Sequence, residues 1–275
     1  MAAAMTKDWI QNQCKKYQQY RTPTLNDRLY LQNQGFSIIE NLEEYTEVKT
    51  VYLECNCIES LSGLQLMTKL RNLVLHKNNI GAIEHLDNLK MLDSLDLSDN
   101  MLTKLENLAC CPILTSLNVS NNHLKSSESI DHLKKCINLK VLDLSKNNLE
   151  DGEHLLEVLK SLPSLSCLYL SGNPCLREIP NYRKTVISSL PGLKHLDHTP
   201  VFWSERIYAD AWAKDGDKGI EAARDVVHNN IRENERLQFE GMRRLREQAV
   251  QERMTSIETP LLQFDDEELN PKPLI

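Results

Sequence analysis

Residues 92–102 read Leu92-Asp93-Ser94-Leu95-Asp96-Leu97-Ser98-Asp99-Asn100-Met101-Leu102. Leu95 and Leu97 flank a single polar residue, so in an extended segment both point to one side while Asp96 points to the other. Asn100 stands among leucines. Its side-chain amide offers donors and an acceptor to backbone groups that a turning chain leaves unpaired. The stretch reads as a short strand that bends inward at Asn100 and buries Leu92, Leu95, Leu97 and Leu102.

The same phase recurs on both sides. Upstream it gives Leu70, Leu73, Leu75, Asn78, Ile80 and, before that, Val48, Val51, Leu53, Asn56, Ile58. Downstream it gives Leu114, Leu117, Val119, Asn122, Leu124, then Leu139, Leu142, Leu144, Asn147, Leu149, then Leu165, Leu168, Leu170, Asn173. A degenerate opening copy is expected at Leu29, Leu31, Gln34 and Phe36. The asparagines are spaced by 22, 22, 22, 25 and 26 residues, within the range of about 20–29 for leucine-rich repeats. One copy arises by chance; six in phase do not. The predicted fold is an α/β leucine-rich-repeat solenoid, with short parallel strands on the concave face and 3₁₀ or helical segments on the convex side. Asn56, Asn78, Asn100, Asn122, Asn147 and Asn173 are its structural asparagines.

A 22-residue repeat leaves little room between strands, so single turns are expected there. The 25- and 26-residue repeats have room for true helices, and Leu155, Leu156, Val158, Leu159 and Leu162 outline one. Terminal repeats would expose leucine layers, so covers are required. Residues 1–24 are assigned to an N-terminal helical cap, 25–192 to the array and 193–216 to a C-terminal repeat cap. Tyr182, Phe202, Trp203 and Trp212 are expected to pack into that closure. Residues 217–254 are charged and helix-prone, too irregular for a coiled coil. Residues 255–275, with Asp265, Asp266, Glu267 and Glu268, read as a disordered acidic tail.

Composition narrows the function. The formal net charge of the 275 residues is −7, which argues against a broad nucleic-acid footprint. The first residues lack the apolar core of a secretory signal, and no stretch is long and apolar enough to span a membrane. The eight cysteines are therefore expected to stay reduced, and they form no Cys-x-x-Cys pair. The histidines are scattered over different repeat phases, and no hydrolase, zinc-protease or phosphate-loop motif occurs. The expectation is a non-enzymatic protein without cofactor, metal or small-molecule ligand, whose partners are neither membrane nor nucleic acid.

Strand residues between the buried ones face outward on the sheet side. Tyr52, Glu54, Val74, His76, Asp96, Asn118, Asp143 and Tyr169 are the candidate partner-binding residues, with tyrosines at both ends and carboxylates between them. Aromatic anchors with charged neighbours suit a protein interface.

The flanks of the array carry a resemblance. The entry, with Tyr20-Arg21-Thr22-Pro23-Thr24-Leu25-Asn26-Asp27-Arg28-Leu29-Tyr30 followed by Gly35-Phe36 and Ile39-Glu40-Asn41-Leu42-Glu43, resembles the dynein axonemal assembly factor 1 family. So does the exit, with Asn181-Tyr182-Arg183-Lys184-Thr185, Pro200-Val201-Phe202 and Ala211-Trp212. The resemblance covers about residues 5–216. It implies a cytoplasmic adaptor for assembling the dynein arms of the axoneme of a cilium or flagellum. Its implied partners are axonemal dynein chains and assembly co-factors or chaperones. Ile83-Glu84-His85-Leu86 is similar to phosphatase-regulatory repeat proteins, and the short capped array to a U2-type ribonucleoprotein scaffold. Those are the alternatives.

Overall fold

The computed structural model describes residues 4–257. The chain divides into two compact units, Met1–Ile220 and Glu221–Ile275. The first unit holds one nine-stranded sheet whose strands follow chain order. They are β1 (Arg28–Tyr30), β2 (Thr50–Tyr52), β3 (Asn72–Val74), β4 (Ser94–Asp96), β5 (Ser116–Asn118), β6 (Val141–Asp143), β7 (Cys167–Tyr169), β8 (His195–Leu196) and β9 (Thr199–Pro200). β1 to β8 are parallel and in register, so Leu29, Val51, Leu73, Leu95, Leu117, Leu142, Leu168 and Leu196 form one buried column. Leu31, Leu53, Leu75, Leu97, Val119, Leu144 and Leu170 form a second. No single repeat can bury such a layer; its neighbours do. The degenerate opening copy is a full member of the sheet through β1. β9 runs antiparallel to β8, a reversal that the repeat template does not contain.

The asparagines clamp successive repeats together. Asn100 Nδ2 donates to Leu97 O in its own repeat and to Leu75 O in the one before, at 3.1 and 3.0 Å. Its Oδ1 accepts from Ile80 N at 3.0 Å. Asn78, Asn122, Asn147 and Asn173 repeat this pattern. Asn56 accepts from both Gln34 N and Phe36 N, which ties in the opening copy although it has Gln34 at the equivalent position. Immediately before each asparagine the backbone enters the left-handed region, at Cys55, Lys77, Asp99, Asn121, Lys146 and Gly172. Only the last is a glycine.

Between strands the repeats differ with their length. The 22-residue repeats carry turns and the short 3₁₀ segment Leu108–Cys110. The 25-residue repeat has room for a true helix and holds the 3₁₀ segment Ser127–Lys135. Its nine residues wind as about three tighter turns at three residues each, not in an α-helical register. The 26-residue repeat forms α2 (Gly152–Lys160), with Asp151 Oδ1 accepting from His154 N as its cap.

At the front, α1 (Lys7–Lys16) is capped by Thr6 and buries Ile10 and Cys14. Trp9 meets Phe36 edge-on at 4.9 Å, covering the first leucine layer. At the back lie the 3₁₀ segment Pro174–Arg177 and α3 (Tyr182–Ser189), which buries Val186 and Ile187. The helical run α4 (Trp203–Ile257) leaves helical geometry at Asp215 and Gly216. Past residue 220 it exposes Leu237, Phe239, Met242 and Leu245, with Arg236–Glu240 and Arg243–Glu247 paired one turn apart. The expected acidic tail begins inside this helix at 255–257, and its remainder, 258–275, lies outside the described residues. All eight cysteines are free; burial pushes the Cys136 and Cys175 thiols up to about 11.

Two stability outcomes follow from the clamp and the left-handed positions. Asn100→Ala orphans buried backbone groups at about 1–3 kcal/mol each. Asn100→Asp is expected to melt lower still, because its carboxylate would face carbonyl oxygens. An aspartate variant as stable as wild type contradicts the hydrogen-bond assignment. Lys77→Gly relieves a left-handed lysine and is expected to stabilise by up to about 1 kcal/mol, since glycine occupies that region without the roughly 1–2 kcal/mol cost of a Cβ. Thermal melting measures both.

Candidate functional site

The parallel register lines up the central sheet-face side chains in one row. Tyr30, Tyr52, Val74, Asp96, Asn118, Asp143 and Tyr169 are consecutive register partners. Each is partly exposed because strand alternation turns it away from the buried column. The ladder continues past the strands: Asn33 N donates to Glu54 O, Cys55 N to His76 O and Lys77 N to Ser98 O, at 2.9–3.0 Å. A second row therefore holds Gln32, Glu54, His76 and Ser98. All eight candidate residues lie on this one face.

Short side-chain bonds fix the middle of the row. Asp96 Oδ1 accepts from Ser98 N and Oγ at 3.0 and 2.7 Å. Asn118 Oδ1 does the same for Ser120, at 3.1 and 2.8 Å. Asp143 Oδ1 accepts from Ser145 N at 2.9 Å. Asp96 Oδ2 remains 3.6 Å from His76 Nδ1. At the far end, the neighbouring Cys167 thiol holds the Tyr169 hydroxyl above its ordinary pKa, with burial and Asp143 adding to the effect.

Two aromatic residues join the site beyond those singled out from sequence. Tyr30 stacks on Tyr52, with ring centroids 5.1 Å apart and planes within 1°. Tyr17, at the end of α1, stacks on Tyr30 at 4.5 Å. Tyr30 was legible in principle, since it sits between Leu29 and Leu31 as Tyr52 sits between Val51 and Leu53. Tyr17 carries no repeat signal; only the fold of the cap brings it there. Among the described residues no three histidine, cysteine or carboxylate side chains gather as a metal site would require.

The C-terminal closure differs from the one expected of its aromatic residues. Phe202 and Trp203 are 62% and 46% exposed and do not seal the array. Trp212 is partly buried, with Lys184 Nζ 5.8 Å from its ring centre. Tyr182 packs against the core and donates its hydroxyl to Asp197 Oδ2 at 3.0 Å. Asp197 Oδ1 accepts from Leu170 N and Ser171 N, taking over the role of the missing next repeat. Arg183 binds Glu205 and the carbonyls of Leu196 and Pro200, while Arg206 caps α3 through Ile187 O and Leu190 O. Hydrogen bonds to open backbone groups close this end, and Phe202 and Trp203 each keep about half of their surface in solvent.

Stacked parallel repeats with a clamped asparagine column define the class. The leucine-rich repeat family model matches residues 78–227, more than half of the chain, and the chain belongs to that family. It is similar to the leucine-rich repeat-containing protein ODA7 of Chlamydomonas reinhardtii, 52% identical over 260 residues, covering 94% of this chain and 60% of that protein. It is also similar to dynein axonemal assembly factor 1 of Homo sapiens, 63% identical over 212 residues, covering 77% of this chain and 29% of that protein. The chain thus spans less than two thirds of either relative. Among solved structures, internalin C2 of Listeria monocytogenes shares the fold, with a TM-score of 0.55 and 21% identity over 70% of this chain and 87% of that one.

The closure is testable by truncation. Tyr182→Ala is expected to cost about 2–4 kcal/mol through lost packing and the unpaired Asp197 oxygen. Phe202→Ala is expected to stay within about 0.5 kcal/mol of wild type, as exposed positions do, and Trp203→Ala to cost less than Tyr182→Ala. Denaturant melts with the opposite ranking would return the aromatic pair to the cap.

Proposed function

We propose that the chain is a non-enzymatic adaptor for assembling axonemal dynein arms. It works in the cytoplasm before the arms enter the cilium or flagellum. Its partners are axonemal dynein chains together with assembly co-factors or chaperones. The carrying observation is the similarity to ODA7 and to dynein axonemal assembly factor 1, which spans the caps as well as the repeats. The caps matter because repeats alone are shared by proteins of many functions. The sheet face supports the binding part of the reading: a continuous row with tyrosines at both ends and carboxylates between them. The phosphatase-regulatory and U2-type ribonucleoprotein alternatives have no comparable support from the flanks.

Deleting the gene in a flagellated cell is expected to remove dynein arms from axoneme cross-sections, and re-expressing the chain to restore them. Re-expression of the Tyr52→Ala, Tyr169→Ala double variant is expected to restore arms poorly while the purified variant still unfolds in one cooperative step, a few degrees lower because the Tyr30–Tyr52 stack is lost. Both side chains project from the sheet face, so the fold does not depend on them. Intact arms after deletion would refute the assembly role, and full rescue by the double variant would move the interface elsewhere.

A further inference from the structure

Between strands, six successive repeats place one buried residue at the same point: Tyr45, Met67, Leu89, Cys111, Cys136 and Leu162. Backbone bonds show the equivalence. Each of the six donates its N–H to the carbonyl three residues earlier and accepts at its own carbonyl from the N–H three residues later. Four of these side chains are large. Cys111 and Cys136 are small and consecutive, and beside them the wall opens into a recess of about 190 Å³. It lies on the rim where the chain enters β5 and β6.

The recess is apolar inside. Leu108, Leu114 and Ile137 line it together with the two thiols. Burial pushes the Cys111 thiol up to about 12 and the Cys136 thiol up to about 11, so both stay uncharged at neutral pH. The lining amide, Asn138, is spent on Pro112 O at 2.8 Å. An apolar cavity of about 150 Å³ takes a benzene molecule, so this one has room for a phenyl ring. Ile137 is 56% exposed and Ile113, between the lining Pro112 and Leu114, is 41% exposed, which extends the apolar surface outward.

The surroundings set the charge of what would fill it. Lys135 is part of the wall, and Lys140 follows the lining Asn138 by two residues; both are exposed. Among the described residues neither forms an ion pair. The nearby carboxylates are already engaged or offset. Asp131 and Glu157 pair with Lys134, and Asp93 accepts from the Thr115 hydroxyl. Asp87 and Lys90 act with opposite sign at Cys110, as Glu106 and Lys104 do at His132. Two lysines therefore remain uncompensated beside an open apolar recess, in a chain whose net charge is −7.

We propose that this recess receives a phenylalanine side chain from an acidic segment of a partner protein, with Lys135 and Lys140 meeting the carboxylates beside it. The site stands apart from the sheet face and goes beyond the adaptor reading. The two cysteines are there as small residues, leaving open the space that a leucine or methionine fills in the neighbouring repeats.

The test uses the full chain and two fluorescein-labelled glycine-serine decapeptides. One carries a phenylalanine followed by three acidic residues; the other has serine in place of the phenylalanine. Fluorescence anisotropy is expected to show at least fivefold tighter binding of the phenylalanine peptide. Cys136→Leu restores the residue type of Leu162, and is expected to weaken that peptide at least fivefold while Tm stays at or above wild type. Lys135→Gln is expected to weaken it at least threefold. Lys125→Gln makes the same charge change at an exposed position past β5 and is expected to leave it unchanged. Equal binding of the two peptides would overturn the proposal. So would undiminished binding to a Cys136→Leu chain that keeps its Tm, or equal losses from the two lysine variants. The peptide pair is read on the unaltered chain, so it decides the matter even if Cys136→Leu unsettles the fold. The chain itself carries Phe264 followed by Asp265, Asp266, Glu267 and Glu268. A Phe264→Ser chain is expected to bind the peptide as wild type does. Tighter binding to that variant would make the chain's own tail the occupant and overturn the assignment to a partner.

Discussion

A side-chain amide that belongs to two repeats at once organises this molecule. Asn100 bonds to carbonyls of its own repeat and of the preceding one, and accepts from the amide of Ile80. Each such residue replaces water for backbone groups that a sharply turning chain cannot pair with itself. A turn this tight is stable only where a neighbour supplies the partner, so the repeats must stack in one register. The leucine columns then bury themselves, since consecutive aliphatic side chains sit one strand spacing apart. Hydrophobic burial supplies most of the driving force; the amide column decides which arrangement it stabilises.

The candidate partner-binding face is a by-product of that constraint. Parallel register turns every second strand residue outward at the same height, which converts residues about 22–26 positions apart in sequence into adjacent members of a row. The face is rigid because the ladder beneath it is, and the short bonds from Asp96, Asn118 and Asp143 to following serines hold their side chains as well. A surface prepared in this way loses little entropy on binding, which suits an adaptor.

Much of this was legible in the sequence because repetition multiplies weak signals. One leucine pattern means little, but the phase locking Leu95 to Leu73 and Leu117 fixes strand, register and facing together. Legibility failed where repetition stops. Tyr17 reaches the tyrosine stack from a cap helix with no repeat phase. β9 runs against β8, and Asp197, held by the Tyr182 hydroxyl, accepts from Leu170 N and Ser171 N where a further repeat would have done so. Phe202 and Trp203 read as cap filling on hydrophobicity alone, yet Arg183 and Arg206 meet the open carbonyls of that end, and arginine burial is invisible to a hydropathy pattern. Ser127–Lys135 had room for an α-helix by length, and local geometry made it 3₁₀.

The claim that the sheet face is where partners bind is open to one direct measurement. A photo-crosslinking residue placed at Asn118, in the middle of the row, can be compared in a flagellated cell with one at Leu66, exposed between β2 and β3. The account predicts covalent capture of a dynein chain or assembly co-factor from position 118 and none from position 66. Capture from 66 with none from 118 would contradict it.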